Sequence, residues 1–150
     1  ARFGDFPEIT SVLPRGNGMI DMVGTSQFDH GFDLRLRPNG RLAAGFWRNG
    51  VVRVPAPIST ASLGANGAIM AANERGSGTV YRLFRNGRFD PAFGGAKGIE
   101  VPAQASADQV VIGTQTGGRA VLMDLGRHFC RSGCPPTPRV AAFLEGRARR

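Results

Sequence analysis

Lysine, histidine, cysteine and the larger aromatics are scarce in this 150-residue chain: Lys97 is its single lysine, and there are one Trp, one Tyr, two His and two Cys. Two thiols cannot staple a small disulfide framework, and they leave the redox compartment open. With so few Trp and Tyr, aromatic rings do not interleave with charge as single-stranded nucleic acid binding requires, so nucleic acid is not an expected partner. Two histidines, His30 and His128, restrict the supply of general bases, and no repeated acid stands beside either. No run of about 18 apolar residues occurs, which excludes a membrane-spanning helix. Nucleophile elbows, phosphate loops and dinucleotide fingerprints are missing too. The glycine clusters Gly76-Ser77-Gly78 and Gly94-Gly95 do not lead from a strand into a helix as phosphate cradling needs. These absences argue against an enzyme and against a bound cofactor.

What the chain has in excess is glycine and arginine. Its 22 Gly and 10 Pro indicate many tight turns and disfavour a helical bundle, whose interiors reject both residues. Hydrophobic residues at 41% and charged residues at 20% suit a globular chain rather than a disordered polyelectrolyte. The net charge of +8 rests almost wholly on guanidinium groups. Guanidinium is suited to bidentate contact with carboxylate, phosphate or sulfate, which makes an anionic partner a reading to test. Scattered surface arginine more often marks a solvated face.

An internal repeat organises the sequence. Arg35-Leu36-Arg37-Pro38-Asn39-Gly40-Arg41-Leu42 returns as Arg82-Leu83-Phe84-Arg85-Asn86-Gly87-Arg88-Phe89 at an offset of 47, and the register carries on through Phe46 with Phe93, Val54 with Val101 and Pro55 with Pro102. A second series aligns Gly16-Asn17-Gly18-Met19-Ile20 with Ala65-Asn66-Gly67-Ala68-Ile69, at an offset of 49, and more weakly with Gly117-Gly118-Arg119-Ala120-Val121. Two interleaved series with one period mean a unit of about 50 residues. Asn-Gly between apolar stretches marks a type I′ hairpin, so Asn39-Gly40, Asn66-Gly67 and Asn86-Gly87 are expected at hairpin tips. Four short strands per unit make an antiparallel blade. The expected units span 9–54 and 59–101, with a degenerate third over 107–131, inside a β-repeat domain of residues 1–125. The fold expected is all-β, with about three propeller-like blades. Propellers close with about four to eight blades, so three need further copies, a longer polypeptide or an open stack.

The phrase from Arg82 to Gly95, with Asp90-Pro91-Ala92-Phe93 at its centre and Gly98 following, resembles the delta-60 family of bacterial repeats. That family's pattern is Arg, an Asp-Gly turn, Leu-Asp, Phe-Gly, then a further Gly. Asn86 stands here for the usual Asp and Phe89 for the usual Leu, and in the first copy Ala43-Ala44 replaces Asp-Pro and Trp47 the Gly after Phe46. The resemblance implies a propeller-like β fold in an exported or cell-surface bacterial protein, and carries no catalytic residue.

Candidate sites are weighed against plain structural roles. Arg35 with Arg82, and Arg41 with Arg88, are expected at equivalent places on successive blades, where they form a ladder able to grip an anionic polysaccharide. Trp47 is the aromatic to test for sugar stacking. The competing reading pairs the arginines within a sheet, as Arg88 with Asp90 or Arg82 with Glu74. Asp90 itself reads as a turn residue whose carboxylate accepts backbone hydrogen bonds ahead of a buried Phe93. His128, Cys130 and Cys134 supply one imidazole and two thiols within seven residues. Zinc, a Cys130–Cys134 disulfide and two free thiols all remain open for them. Beyond Cys134 the sequence over 134–150 reads as a Pro-rich spacer, then a basic C-terminal helix with Val140, Phe143 and Leu144 on one face. The function expected is a non-catalytic binding or structural module that self-associates or joins a larger assembly. A lectin-like binder of anionic polysaccharide and a small metal-dependent enzyme are the alternatives.

Overall fold

A computed structural model describes residues 8–73, 79–100, 110–114, 120–124 and 139–143. The described residues are mainly β and form three antiparallel meanders. The first sheet runs β1 (Glu8–Pro14), β2 (Ile20–Thr25), β3 (Gly31–Leu36) and β4 (Val51–Val54); the second runs β5 (Thr60–Leu63), β6 (Ile69–Asn73), β7 (Thr79–Leu83) and β8 (Ile99–Glu100). In the third, β10 (Ala120–Asp124) lies between β9 (Val110–Thr114) and β11 (Arg139–Phe143). No sheet among the described residues closes on itself.

The second sheet reproduces the pairing of the first. Ile20 opposite Leu36 corresponds to Ile69 opposite Leu83, and Asp33 opposite Val52 corresponds to Val80 opposite Ile99. Pro14 opposite Ile20, Leu63 opposite Ile69 and Thr114 opposite Ala120 begin the three sheets in one register. After the third strand the chain makes the same excursion twice. Leu36 bridges Leu42 and Leu83 bridges Phe89, and the Ala43 and Asp90 amides donate back to the carbonyls of Arg35 and Arg82.

Two expectations from the sequence are corrected. Asn39-Gly40 and Asn86-Gly87 do lie at tight tips, closed by the Leu36–Leu42 and Leu83–Phe89 bridges, but the turns are not type I′: in each pair only the glycine takes positive φ, 74° at Gly40 and 82° at Gly87. A type I′ turn needs positive φ at both central residues. Asn66 and Gly67 both have positive φ, 58° and 72°, but the turn closes from the Gly67 amide to the Gly64 carbonyl, so they are not its central pair. The expected C-terminal helix does not form over the described residues 139–143. Arg139–Phe143 is instead β11, paired from Asp124–Arg139 to Ala120–Phe143. A helix of so few residues is marginal alone, and a ladder already presented by β10 satisfies its backbone groups better.

The sheets stack face to face. Facing the second sheet, Val23, Val54 and Ile58 pack with Ala71 and Tyr81, while Ala43, Phe46 and Val52 pack with Ile69 and Leu83. The opposite face of the second sheet meets the third, where Met70, Ala72, Val80 and Phe93 enclose Ile112. Thus Phe46 and Phe93, 2% exposed each, plug successive layers. Gly87 explains itself at the first layer: a Cβ there would lie 2.8 Å from Phe46 Cε2 and Val52 Cγ2. Polar links cross the layers as well, for the Ala61 amide donates to Ser11 Oγ at 2.9 Å and the Thr114 hydroxyl to the Leu63 carbonyl at 2.8 Å.

Candidate functional site

At the level of the turns, the layer between the first two sheets opens into a groove of about 810 Å³. Its walls carry Arg15, Arg35, Arg37 and Arg85, and its apolar lining includes Phe46 and Phe84. Strand alternation sets the floor. Along β2 and β3, Asp21, Val23, Asp33 and Arg35 all turn toward the second sheet, because Asp21 pairs with Arg35 and Val23 with Asp33 across the ladder.

Asp21 is 0% exposed and neutralised from two sides. Arg35 forks onto it, Nε donating to Oδ1 at 2.6 Å and Nη2 to Oδ2 at 3.2 Å. The guanidinium of Arg15 donates to the same carboxylate, with Nε and Nη2 both against Oδ2. Each arginine then spends another donor on the second sheet's turns: Arg35 Nη1 on the Arg85 carbonyl at 2.6 Å, Arg15 Nη1 on the Gly67 carbonyl at 3.1 Å. Phe46 supports the cluster from the side, its ring centre 3.8 Å from the Arg35 guanidinium carbon. One buried carboxylate and two guanidiniums therefore tie the sheets together, and one positive charge is left over beneath the groove.

Asp33 is a different case. It is also 0% exposed, yet neither carboxylate oxygen has a hydrogen-bond partner. Burial pushes its pKa well above the usual carboxylate range and the neighbouring Asp21 pushes the same way, against smaller opposite pulls from Arg35 and Arg15. Its surroundings favour the protonated form. In the second sheet the corresponding places are Met70 and Val80, both in the apolar cluster.

The structure separates the sequence's site residues. Arg35 is buried in the Asp21 cluster, whereas Arg82 is half-buried and pairs with Asp90 at 3.4 Å. Asp90 also accepts the Ala92 amide at 2.9 Å, the turn role its sequence suggests. Arg41 and Arg88 are exposed beyond the turns, their amides donating to Asn39 and Asn86 Oδ1 at 3.1 and 3.0 Å. Trp47 is 40% exposed at a positive φ of 40°, with its amide donating to the Asn86 carbonyl at 2.9 Å. The four arginines do not form one ladder. His128, Cys130 and Cys134 lie outside the described residues, and among the described residues no cluster of three metal-ligating side chains occurs.

Sequence reasoning missed Arg15, Asp21, Asp33, Arg37 and Arg85. A signal was present for the two acids: each breaks an apolar strand at a position where the next copy has an aliphatic residue. The groove arginines have no such signal, because their convergence depends on how two sheets lie together. No protein-family model matches the chain, and neither the curated proteins nor the solved structures contain a similar one.

Proposed function

We propose that the chain is a non-catalytic repeat module, its sheets acting as successive blades of a propeller-like array that is completed by further copies of the same chain. The observation that carries this reading is an uncovered apolar face. Val12 and Ile20, on the outer side of the first sheet, are 55% and 38% exposed, while Ile69, the counterpart of Ile20 in the second sheet, is 0% exposed because the first sheet covers it. The position equivalent to Val12, Ala61, packs into the same covered layer. A face built like a buried one and left open calls for a sheet of the same kind. Among the described residues no helix is long and apolar enough to cross a membrane, which leaves a bilayer-spanning helix unsupported as the cover. An exported or cell-surface setting goes with the delta-60 resemblance.

Light scattering of the chain is expected to give a particle of more than one copy, reduced to one by Val12→Asp with Ile20→Asp. A mass of one chain for the unmodified protein removes self-association.

A second reading, an anionic polysaccharide as ligand, is favoured by the groove and not by a ladder. Retention on heparin at low ionic strength is expected, weakening as salt rises.

A further inference from the structure

The groove's set of arginines is not repeated in the next layer. At the corresponding places of the next layer Gly64 replaces Arg15 and Phe84 replaces Arg37, so a regularly spaced polymer would find no second grip there. Whatever it holds is local. Arg15 and Arg85 converge over Gly67: a Cβ on that glycine would lie 2.8 Å from Arg15 Nη1 and 3.4 Å from Arg85 Cγ. Arg37 and Arg85 are exposed and make no ion pair among the described residues. Four guanidiniums thus face one balancing carboxylate, the buried Asp21, and no acid lines the groove.

The neutral polar groups point the same way. Asn17 Oδ1 already accepts the Met19 amide at 3.2 Å, and Asn86 Oδ1 the Arg88 amide at 3.0 Å. Each Oδ1 is turned to its own turn, and the NH₂ donor pair of each amide takes no part in those bonds. Donors reach the groove from the turns holding Asn17, Arg37, Asn66 and Asn86. A planar carboxylate presents two oxygens in one plane, where a guanidinium fork meets both at once. Donors arriving from several directions suit a group whose oxygens diverge.

We propose that this groove seats one tetrahedral oxyanion ester, a sulfate or phosphate group carried on a larger molecule, with Arg37 and Arg85 contacting it and Arg15 and Arg35 positioning the walls. This rests on the reading of the groove as a seat for an anionic partner and narrows it to a group chemistry. The rest of the ligand lies along Phe84, 38% exposed at the groove's side.

Calorimetric titration of the full chain at low, matched ionic strength tests the assignment, with sodium sulfate, sodium phosphate and sodium acetate as probes. Sulfate and phosphate are expected to bind saturably and acetate not to. Arg37→Gln with Arg85→Gln is expected to weaken that binding at least tenfold while the melting temperature holds, since both side chains are exposed. Acetate binding as tightly as sulfate, or an unchanged double variant, overturns the proposal. A heparin disaccharide and glucose 6-phosphate then separate the sources: whichever binds identifies the ester, and binding of neither refutes an ester seat. The broader anionic reading fails by a different result, loss of heparin retention by the unmodified chain at low salt.

Discussion

Replacing Asp33 by Val should stabilise the protein, and more so as the pH rises. The acid is fully buried without a hydrogen-bond partner, and the equivalent residue one unit later, Val80, is 1% exposed in an apolar cluster. Removing an unsatisfied buried polar group of this size returns about 1–3 kcal/mol. For a chain of this length about 2–4 °C of melting temperature accompanies each kcal/mol. Below a pH of about 4 the carboxyl is protonated in both states, and only this desolvation difference counts. Above it the unfolded chain releases the proton while the folded chain, with its pKa shifted upward by burial and by Asp21, retains it. The folded state then binds more protons than the unfolded one, so this group's contribution to stability falls by up to about 1.4 kcal/mol per pH unit until the raised folded value is passed. The advantage of Asp33→Val over the parent should therefore be smallest near pH 4 and widen toward neutrality. Thermal melts of both proteins monitored by circular dichroism across that range read the difference directly, and effects of other titrating groups largely cancel in it. A pH-independent difference, or a variant less stable than the parent, would refute the account of Asp33 as a buried neutral acid.

Asp21→Asn removes the charge that balances Arg15 and Arg35 and should cost about 3–5 kcal/mol in a urea titration, because it strands buried guanidiniums; a cost below about 1 kcal/mol would mean that the cluster is hydrated or rearranges. Gly40 and Gly87 separate backbone strain from packing, since both have positive φ but only Gly87 is backed by Phe46 and Val52. Gly40→Ala should cost about 1–2 kcal/mol from the left-handed backbone alone, and Gly87→Ala should exceed it by about 1–3 kcal/mol for overpacking. Equal losses would place no weight on the contact between the sheets.

Much of this architecture can be read along the chain, because strand pairing within a meander is local. Glycines at positive φ, apolar alternation and a shared offset mark where β1–β3 and β5–β7 begin and turn, and the Phe46 and Phe93 plugs follow from the same spacing. The stretch 139–143 is the exception. Val140, Phe143 and Leu144 fit a helical stripe, and only the free edge of β10 decides for a strand. The groove is a different kind of feature. Arg15, Arg35, Arg37 and Arg85 are separated by up to 70 residues, and nothing in their spacing brings them together. Local sequence sets each turn through φ preferences and short hydrogen bonds, whose energies are fixed within a few residues. Convergence of guanidiniums over Asp21, and the burial that favours the protonated form of Asp33, arise from desolvation between stacked sheets, a property of how the two faces meet that exists only once both have folded.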